Sequence, residues 1–345
     1  MNRHKLFDQA RGVAIIAMVM ANSASLLGEE VKVGFWFRLL ASFPAPIFVV
    51  LAGLMVALTA PKHNFTYFVW RGMFVVGMGV IVDVVANLVV PFQSCDVLYL
   101  MGFMMPCAYV ANRLKTPQLL SFIIALLVLS FAALLALSYQ PLPLMTFFNG
   151  EVLPKGASPV VWRHWLVDGW FPLLPWLPIG LSGILFARYY QRSIKQGGFG
   201  FARTSFLVGA FVLVLLGMVV SWLDPSPFLI RDGYVELFYP PNCAFVLSAL
   251  GVVALVLVMS ELSSLWTSLK WFQLFGSMTL AMYLLHLLII GHILENLFYP
   301  IPSMASFFAI YAGHLVVLTL GAYLIKFARD SYTDMPLLMR WLLGK

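Results

Sequence analysis

Apolar residues in this 345-residue chain fall into continuous runs, and run after run is long enough to cross a hydrocarbon core of about 30 Å. About ten can be read: 10–28, 36–59, 65–90, 96–112, 117–138, 171–190, 203–222, 240–260, 275–298 and 303–327. Their lengths suit helices, and the alternation of an outer-membrane strand is absent. The pattern predicts an all-α, polytopic integral membrane protein, one transmembrane helical domain over 1–345, with no soluble domain and no internal repeat. Composition agrees. With 62% hydrophobic and 10% charged residues and a mean hydropathy of +0.93, the chain has too little polar surface to coat a soluble globule. The net charge of +7 is therefore read by its position among the loops, with lipid rather than nucleic acid as the partner.

Placing the amino terminus in the cytoplasm puts "RHK", "APKHNF", "NRLKTP", "RYYQRSIKQGGFGFAR", Lys270 and the tail "KFARDSYTDMPLLMRWLLGK" on the cytoplasmic side. Those segments hold most of the Lys and Arg, which is the positive-inside bias. Glu29, Glu30, Asp96, Glu151, Asp168, Asp224, Asp232, Glu236 and Glu295 gather on the other face. The same bookkeeping bears on "FDQARGVAIIAMVMANSASLLGEE", which has the outline of a cleaved leader. Removing residues 1–24 would delete one crossing and invert every later loop, so a retained first helix is expected. Compact loops and the lack of an internal targeting sequence suggest a bacterial cytoplasmic (inner) membrane, with both termini inside.

Polar residues within the runs are the candidate chemistry, because hydrocarbon offers them no water. Asp8 and Arg11 share a helical face, and Gly12 lets another backbone approach. The Arg-Gly pair recurs at Arg71 and Gly72. These arginines either anchor helices at the headgroups or, beside helix amino termini, receive phosphates. Asn22 lies deep and needs a partner. Pro44 and Pro46 break the second run, which either lines a cavity or kinks for structural reasons. Asp83 is a functional candidate by its depth alone. His286 and His314 fall mid-helix, where each is a proton acceptor or a neutral imidazole bonded to a neighbour. On the outer face, Asp96, His164, Asp168 and Trp176 are candidates for substrate contact, Trp176 also fitting an interfacial belt. His292 and Glu295 share a face, but two ligands make no metal site and no metal is expected. Cys95 and Cys243 come out near the same face, leaving a disulfide open.

The segments "RHKLFDQARGVAIIAMVMAN", "FPAPIFVVLAGLMVAL", "WRGMFVVGMGVIVDVV", "DVLYLMGFMMPCAYV", "FPLLPWLPIGLSGILFARYY" and "FGSMTLAMYLLHLLII" together resemble the heparan-α-glucosaminide N-acetyltransferase-like membrane family. The resemblance implies a transmembrane acyltransferase that takes an acetyl group from cytoplasmic acetyl-CoA to a sugar on the far side. Asp8, Arg11 and Gly12 match the family's opening motif, and Asn22 matches its active-site asparagine. The family's catalytic histidine, about a dozen residues further on, has no counterpart in "SASLLGEEVKVGFWF".

Residues and resemblance meet in one expected mechanism. Arg11, Arg71, Arg188, Arg192 and Lys195 would hold the coenzyme A phosphates. Asn22 would donate to the developing oxyanion, and His286, Glu29 or Asp83 would take the acceptor's proton. Two other classes fit the same polar residues: a proton-coupled transporter of small solutes, and a catalytically silent membrane subunit. A homo-oligomer is compatible with each.

Overall fold

All ten apolar runs form helix in the computed structural model, which describes residues 5–139, 144–148, 151–154, 161–225, 228–231, 233–263, 270–332 and 334–344. In chain order these are α1 (Lys5–Ser23), α2 (Phe35–Ser42), α3 (Pro44–Thr59), α4 (Phe65–Ile81), α5 (Val97–Ala111) and α6 (Thr116–Leu137). A two-stranded antiparallel hairpin follows, β1 (Met145–Phe148) and β2 (Glu151–Pro154), with Met145 opposite Pro154. Then come α7 (Val161–Arg163), α8 (Leu173–Lys195), α9 (Thr204–Leu223), α10 (Cys243–Ser263) and α11 (Lys270–Ser277). The last four are α12 (Thr279–Ile289), α13 (Glu295–Phe298), α14 (Met304–Ser331) and α15 (Leu337–Leu343).

Among the described residues, seven helices are long and apolar enough to cross a membrane, or eight if Val161–Asp168 and Leu173–Lys195, bent by 51°, form one span. The other two of the ten runs are α1 and α5. Helix α1 carries Lys5, Asp8 and Arg11 in its first half. Helix α5 has 15 residues, about 22 Å of helix, which is short of the hydrocarbon thickness. Both are accommodated because their neighbours, rather than lipid, surround them. The span Phe35–Lys62 is 72% buried and Thr204–Leu223 only 11%, so α3 is central and α9 peripheral. The all-α, multi-pass reading holds, and the chain is an integral membrane protein.

The second span breaks between Ser42 and Pro44, as its prolines require: α3 opens with proline in its first turn, where the missing amide hydrogen costs nothing. The break is held from outside. Ser42 Oγ donates to the Arg38 carbonyl at 2.6 Å and accepts from the Leu237 amide at 2.7 Å. Arg38 donates to the carbonyls of Val235 and Phe228 at 2.6 and 3.1 Å. Helix α2 and the segment before α10 are thereby one unit. The three cysteines are free, so no disulfide joins Cys95 to Cys243. Cys95 is buried and donates to the Phe171 carbonyl at 3.2 Å.

Each Arg-Gly pair sits at a close helix crossing. A Cβ on Gly12 would lie 1.9 Å from the Phe272 carbonyl oxygen of α11, and one on Gly72 would lie 2.4 Å from the Gly102 carbonyl oxygen of α5. Only hydrogen fits there, and with the backbones in contact the preceding arginine is carried onto the adjoining face. Gly12→Val and Gly72→Val should each destabilise the protein by about 1–3 kcal/mol or more, measured by chemical unfolding in detergent. Gly77→Ala, where a Cβ meets nothing within 4 Å, should leave stability unchanged.

Candidate active site

Two cavities lie end to end inside the bundle. The larger, about 630 Å³, opens beside the first turns of α1 and is lined there by Asp8, Arg11, His63, Tyr67, Arg71 and Trp341. Its size falls within the range of small-molecule and cofactor sites. Arg11 reaches Asp8 across one helical turn at 3.0 Å. The Arg71 guanidinium lies over the Trp341 ring, 5.7 Å from its centroid. Arg340 adds a third guanidinium to the lining. Farther in, the walls turn apolar through Leu51, Met101 and Met105. A polar, cationic mouth leading to an apolar throat suits an anion that carries a long, less polar arm.

The smaller cavity, about 50 Å³, lies beside the last turn of α1 and is lined by Asn22, Asp96, Glu236, Trp170, Phe238 and Tyr239, among others. It holds about one or two water molecules. The broken second span contributes Ala41, Pro44 and Ala45 to this wall. Phe48, Val97 and Tyr283 belong to the lining of both cavities. They form the wall shared by the two cavities, the position of a neck between them.

Asn22 is fixed by its partners. Its Nδ2 lies 2.8 Å from His286 Nε2, and His286 Nδ1 lies 3.1 Å from the Met282 carbonyl oxygen. A carbonyl can only accept, so Nδ1 carries the ring proton and Nε2 accepts from Asn22. One N–H of the Asn22 amide is thus used on His286, and its other polar atoms remain for the cavity. His286 is fully buried and lines neither cavity. In this arrangement it orients Asn22. Ser23 Oγ lies 3.5 Å from His314 Nδ1, just behind the pair.

The carboxylates divide by their commitments. Asp83 accepts from Ser94 Oγ and Tyr99 Oη at 2.7 Å each and from the Phe92 amide at 3.2 Å, and it lines neither cavity. It ties the end of α4 to the turn before α5. Asp96 caps α5 through the Leu98 amide at 2.8 Å and accepts from Tyr283 Oη at 2.6 Å. Glu29 is exposed in the turn after α1, outside both linings. Glu236 is 5% exposed, and its Oε2 has no hydrogen-bond partner.

Other sequence candidates lie elsewhere. Arg188 donates to the carbonyls of Asn112 and Leu114 at 2.9 and 2.7 Å, closing the turn after α5. Arg192 and Lys195 are exposed at the end of α8 and do not line the large cavity. His164 Nδ1 lies 3.1 Å from Asp168 Oδ1, and Arg163 Nε donates to Asp168 Oδ2 at 2.5 Å. That cluster holds the bend before α8 and lines neither cavity. Trp176 is fully buried, packed edge-on against Phe238 and Phe171, and offers no ring face to a ligand. Among the described residues no group of three His, Cys, Asp or Glu side chains is placed to hold a metal ion.

This architecture defines a class: a multi-pass helical membrane protein with a cationic cavity and, sharing three wall residues with it, a smaller pocket that includes an asparagine. Residues 3–223 match the family described as heparan-alpha-glucosaminide N-acetyltransferase, catalytic, and the chain belongs to that family. No individual curated protein matches it. The matched stretch carries Arg11, Asn22, Arg71 and Asp96, whereas Glu236, Tyr283, His286 and Trp341 come from beyond it.

If His286 orients Asn22, the replacement that keeps an acceptor near Nε2 matters more than the loss of the ring. His286→Ala should lower stability by about 1–3 kcal/mol, the cost of an unsatisfied buried donor. His286→Gln should recover at least half of that loss in the same unfolding assay.

Proposed function

We propose that this protein is a transmembrane acyltransferase that moves an acetyl or other short acyl group from acyl-CoA, bound in the large cavity, to a sugar or glycan hydroxyl or amine reached through the small one. The observation that carries the reading is the shared neck. A thioester whose phosphates sit among Arg11, Arg71 and Arg340 extends along the apolar throat to Phe48, Val97 and Tyr283, and Asn22 waits on the far side. Family membership supports the chemistry, and the charge bias of the loops supports a cytoplasmic donor and an extracytoplasmic acceptor in a bacterial cytoplasmic membrane.

In this mechanism the coenzyme's phosphates are neutralised by guanidinium groups that also make directional hydrogen bonds. The thioester carbonyl carbon enters the neck with its oxygen toward the Asn22 amide. As the acceptor attacks, negative charge grows on that oxygen, and an amide N–H already aimed by His286 stabilises it without reorganising. Tyr283, anchored to Asp96, keeps the neck in place. The apolar throat excludes bulk water, which limits hydrolysis of the thioester.

Acetyl-CoA at about 100 times its dissociation constant should stabilise the detergent-purified protein by roughly 2.7 kcal/mol, seen as a raised melting temperature, with ATP as the control for phosphate binding alone. Arg71→Ala should weaken that binding about tenfold or more, the loss of one charge-assisted contact. Asn22→Ala should keep the shift and lower turnover by about 10²–10³-fold. No shift at millimolar acetyl-CoA, or unchanged turnover in Asn22→Ala, overturns the assignment.

A further inference from the structure

Acyl transfer of the kind proposed above needs a group to take the acceptor's proton, and the segment after Asn22 has no histidine to do it. His286 has both ring nitrogens in use, on Asn22 and on the Met282 carbonyl. Asp83 and Glu29 do not line the small cavity. Asp96 does, but its two oxygens accept from the Leu98 amide and from Tyr283. Glu236 also lines the cavity, is nine-tenths buried, and keeps Oε2 without a hydrogen-bond partner. A buried carboxyl oxygen left open is costly unless something uses it.

We propose that Glu236 is the general base of this protein, taking the proton of the acceptor in the small cavity that it shares with Asn22. The inference rests on the acyl-transfer reading. The acceptor hydroxyl gives its proton to the Glu236 carboxylate as its oxygen bonds to the thioester carbon. The carbon–sulfur bond then breaks, and the carboxyl returns the proton to the departing thiolate, so that ester and free coenzyme A are the only products and the base is restored.

The surroundings suit this work. The segment carrying Glu236 is pinned to α2 by the bonds from Arg38 and Ser42, so the carboxyl is held rather than waving in solvent. Burial pushes its pKa up to about 8, opposed in part by its own backbone amide and by Arg38. The other titratable groups lining the cavity are Asp96, Tyr234, Tyr239 and Tyr283, all able to stay neutral or already hydrogen-bonded. Arg231, in the same segment, lies over Tyr239, 5.9 Å from the ring centroid. A base that titrates close to neutral pH combines a usable carboxylate fraction with proton affinity.

Water fits the small cavity and serves as the test acceptor, so the assay is release of free coenzyme A from acetyl-CoA, with the protein-free rate subtracted. Wild-type release should rise on the order of 50-fold between pH 6 and pH 8, following one ionisation near 8. Glu236→Gln should lose about 10²–10⁴-fold of it together with that pH dependence, while its melting shift with acetyl-CoA stays that of the wild type. Glu236→Asp should restore part of the rate. Stability supplies a readout independent of turnover. A carboxyl whose folded value lies above the ordinary 4.5 stabilises the protein fully below that value, and the contribution is lost as pH rises through about 8. The wild-type melting temperature should therefore fall relative to Glu236→Gln between pH 5 and pH 8. Equal release and an unchanged pH profile in Glu236→Gln, with the acetyl-CoA shift present in both proteins, overturn the base and leave acyl transfer standing. Absence of the acetyl-CoA shift and of release in both overturns acyl transfer, and the base with it.

Discussion

The hydrogen bond of 2.8 Å between Asn22 and His286 joins side chains 264 positions apart, and the geometry of the site depends on it. His286 is fully buried and lines neither cavity, so without Asn22 its Nε2 would be left unsatisfied. The Met282 carbonyl decides the direction of that bond by claiming the ring proton at Nδ1. An amide whose orientation is set in this way is rigid before any ligand arrives. That is the property an oxyanion donor needs, since stabilisation that must first be organised is weaker in the transition state. Around it the same constraint repeats: Tyr283 on Asp96, Tyr99 and Ser94 on Asp83, Ser42 on Leu237. Each bond closes a polar group and ties two distant segments.

The mouth of the large cavity is shaped by backbone contact rather than by polar pairing. At Gly12 and Gly72 a methyl group would overlap a carbonyl of the neighbouring helix, so α1 meets α11 and α4 meets α5 at the closest distance that backbones allow. The arginine that precedes each glycine is then carried to the wall of the cavity, and charge and packing share one two-residue signal. This explains how two cations come to face one space from helices separated by some 60 positions. It also accounts for Trp341, which fills the gap between Arg71 and Phe74.

How much of this could be read from the chain depended on whether the environment leaves a local mark. Helices were legible because a bilayer imposes length and apolarity on contiguous residues. The break at Pro44 and the arginines at 11 and 71 were legible for the same reason, each being an exception within a run. Pairing of Asn22 with His286 had no local mark, because nothing in the spacing of two helices fixes which faces meet. Glu236 looked like an acid in a solvated loop, and only the aromatic side chains folded over it, with Arg38 reaching the adjoining carbonyls, remove it from water. For Arg188 a basic loop suggests phosphate, whereas in the structure its guanidinium is taken by the Asn112 and Leu114 carbonyls of the turn after α5. Trp176 reads as a belt residue until Phe171 and Phe238 are packed on its ring.

The difference in size between the cavities has its own consequence. About 630 Å³ can admit much of a cofactor, but about 50 Å³ cannot admit a sugar ring. On the acyl-transfer reading, the wall that gives way is α2 with the segment carrying Tyr234, Glu236 and Phe238, which Arg38 and Ser42 hold together. Enlarging the pocket while keeping those bonds means moving that unit as a whole. The Ser42–Pro44 break is where the unit parts from α3, and α3 also lines the large cavity through Leu51 and Met55. A displacement confined to α2 and its loop would therefore widen the small cavity without disturbing the large one.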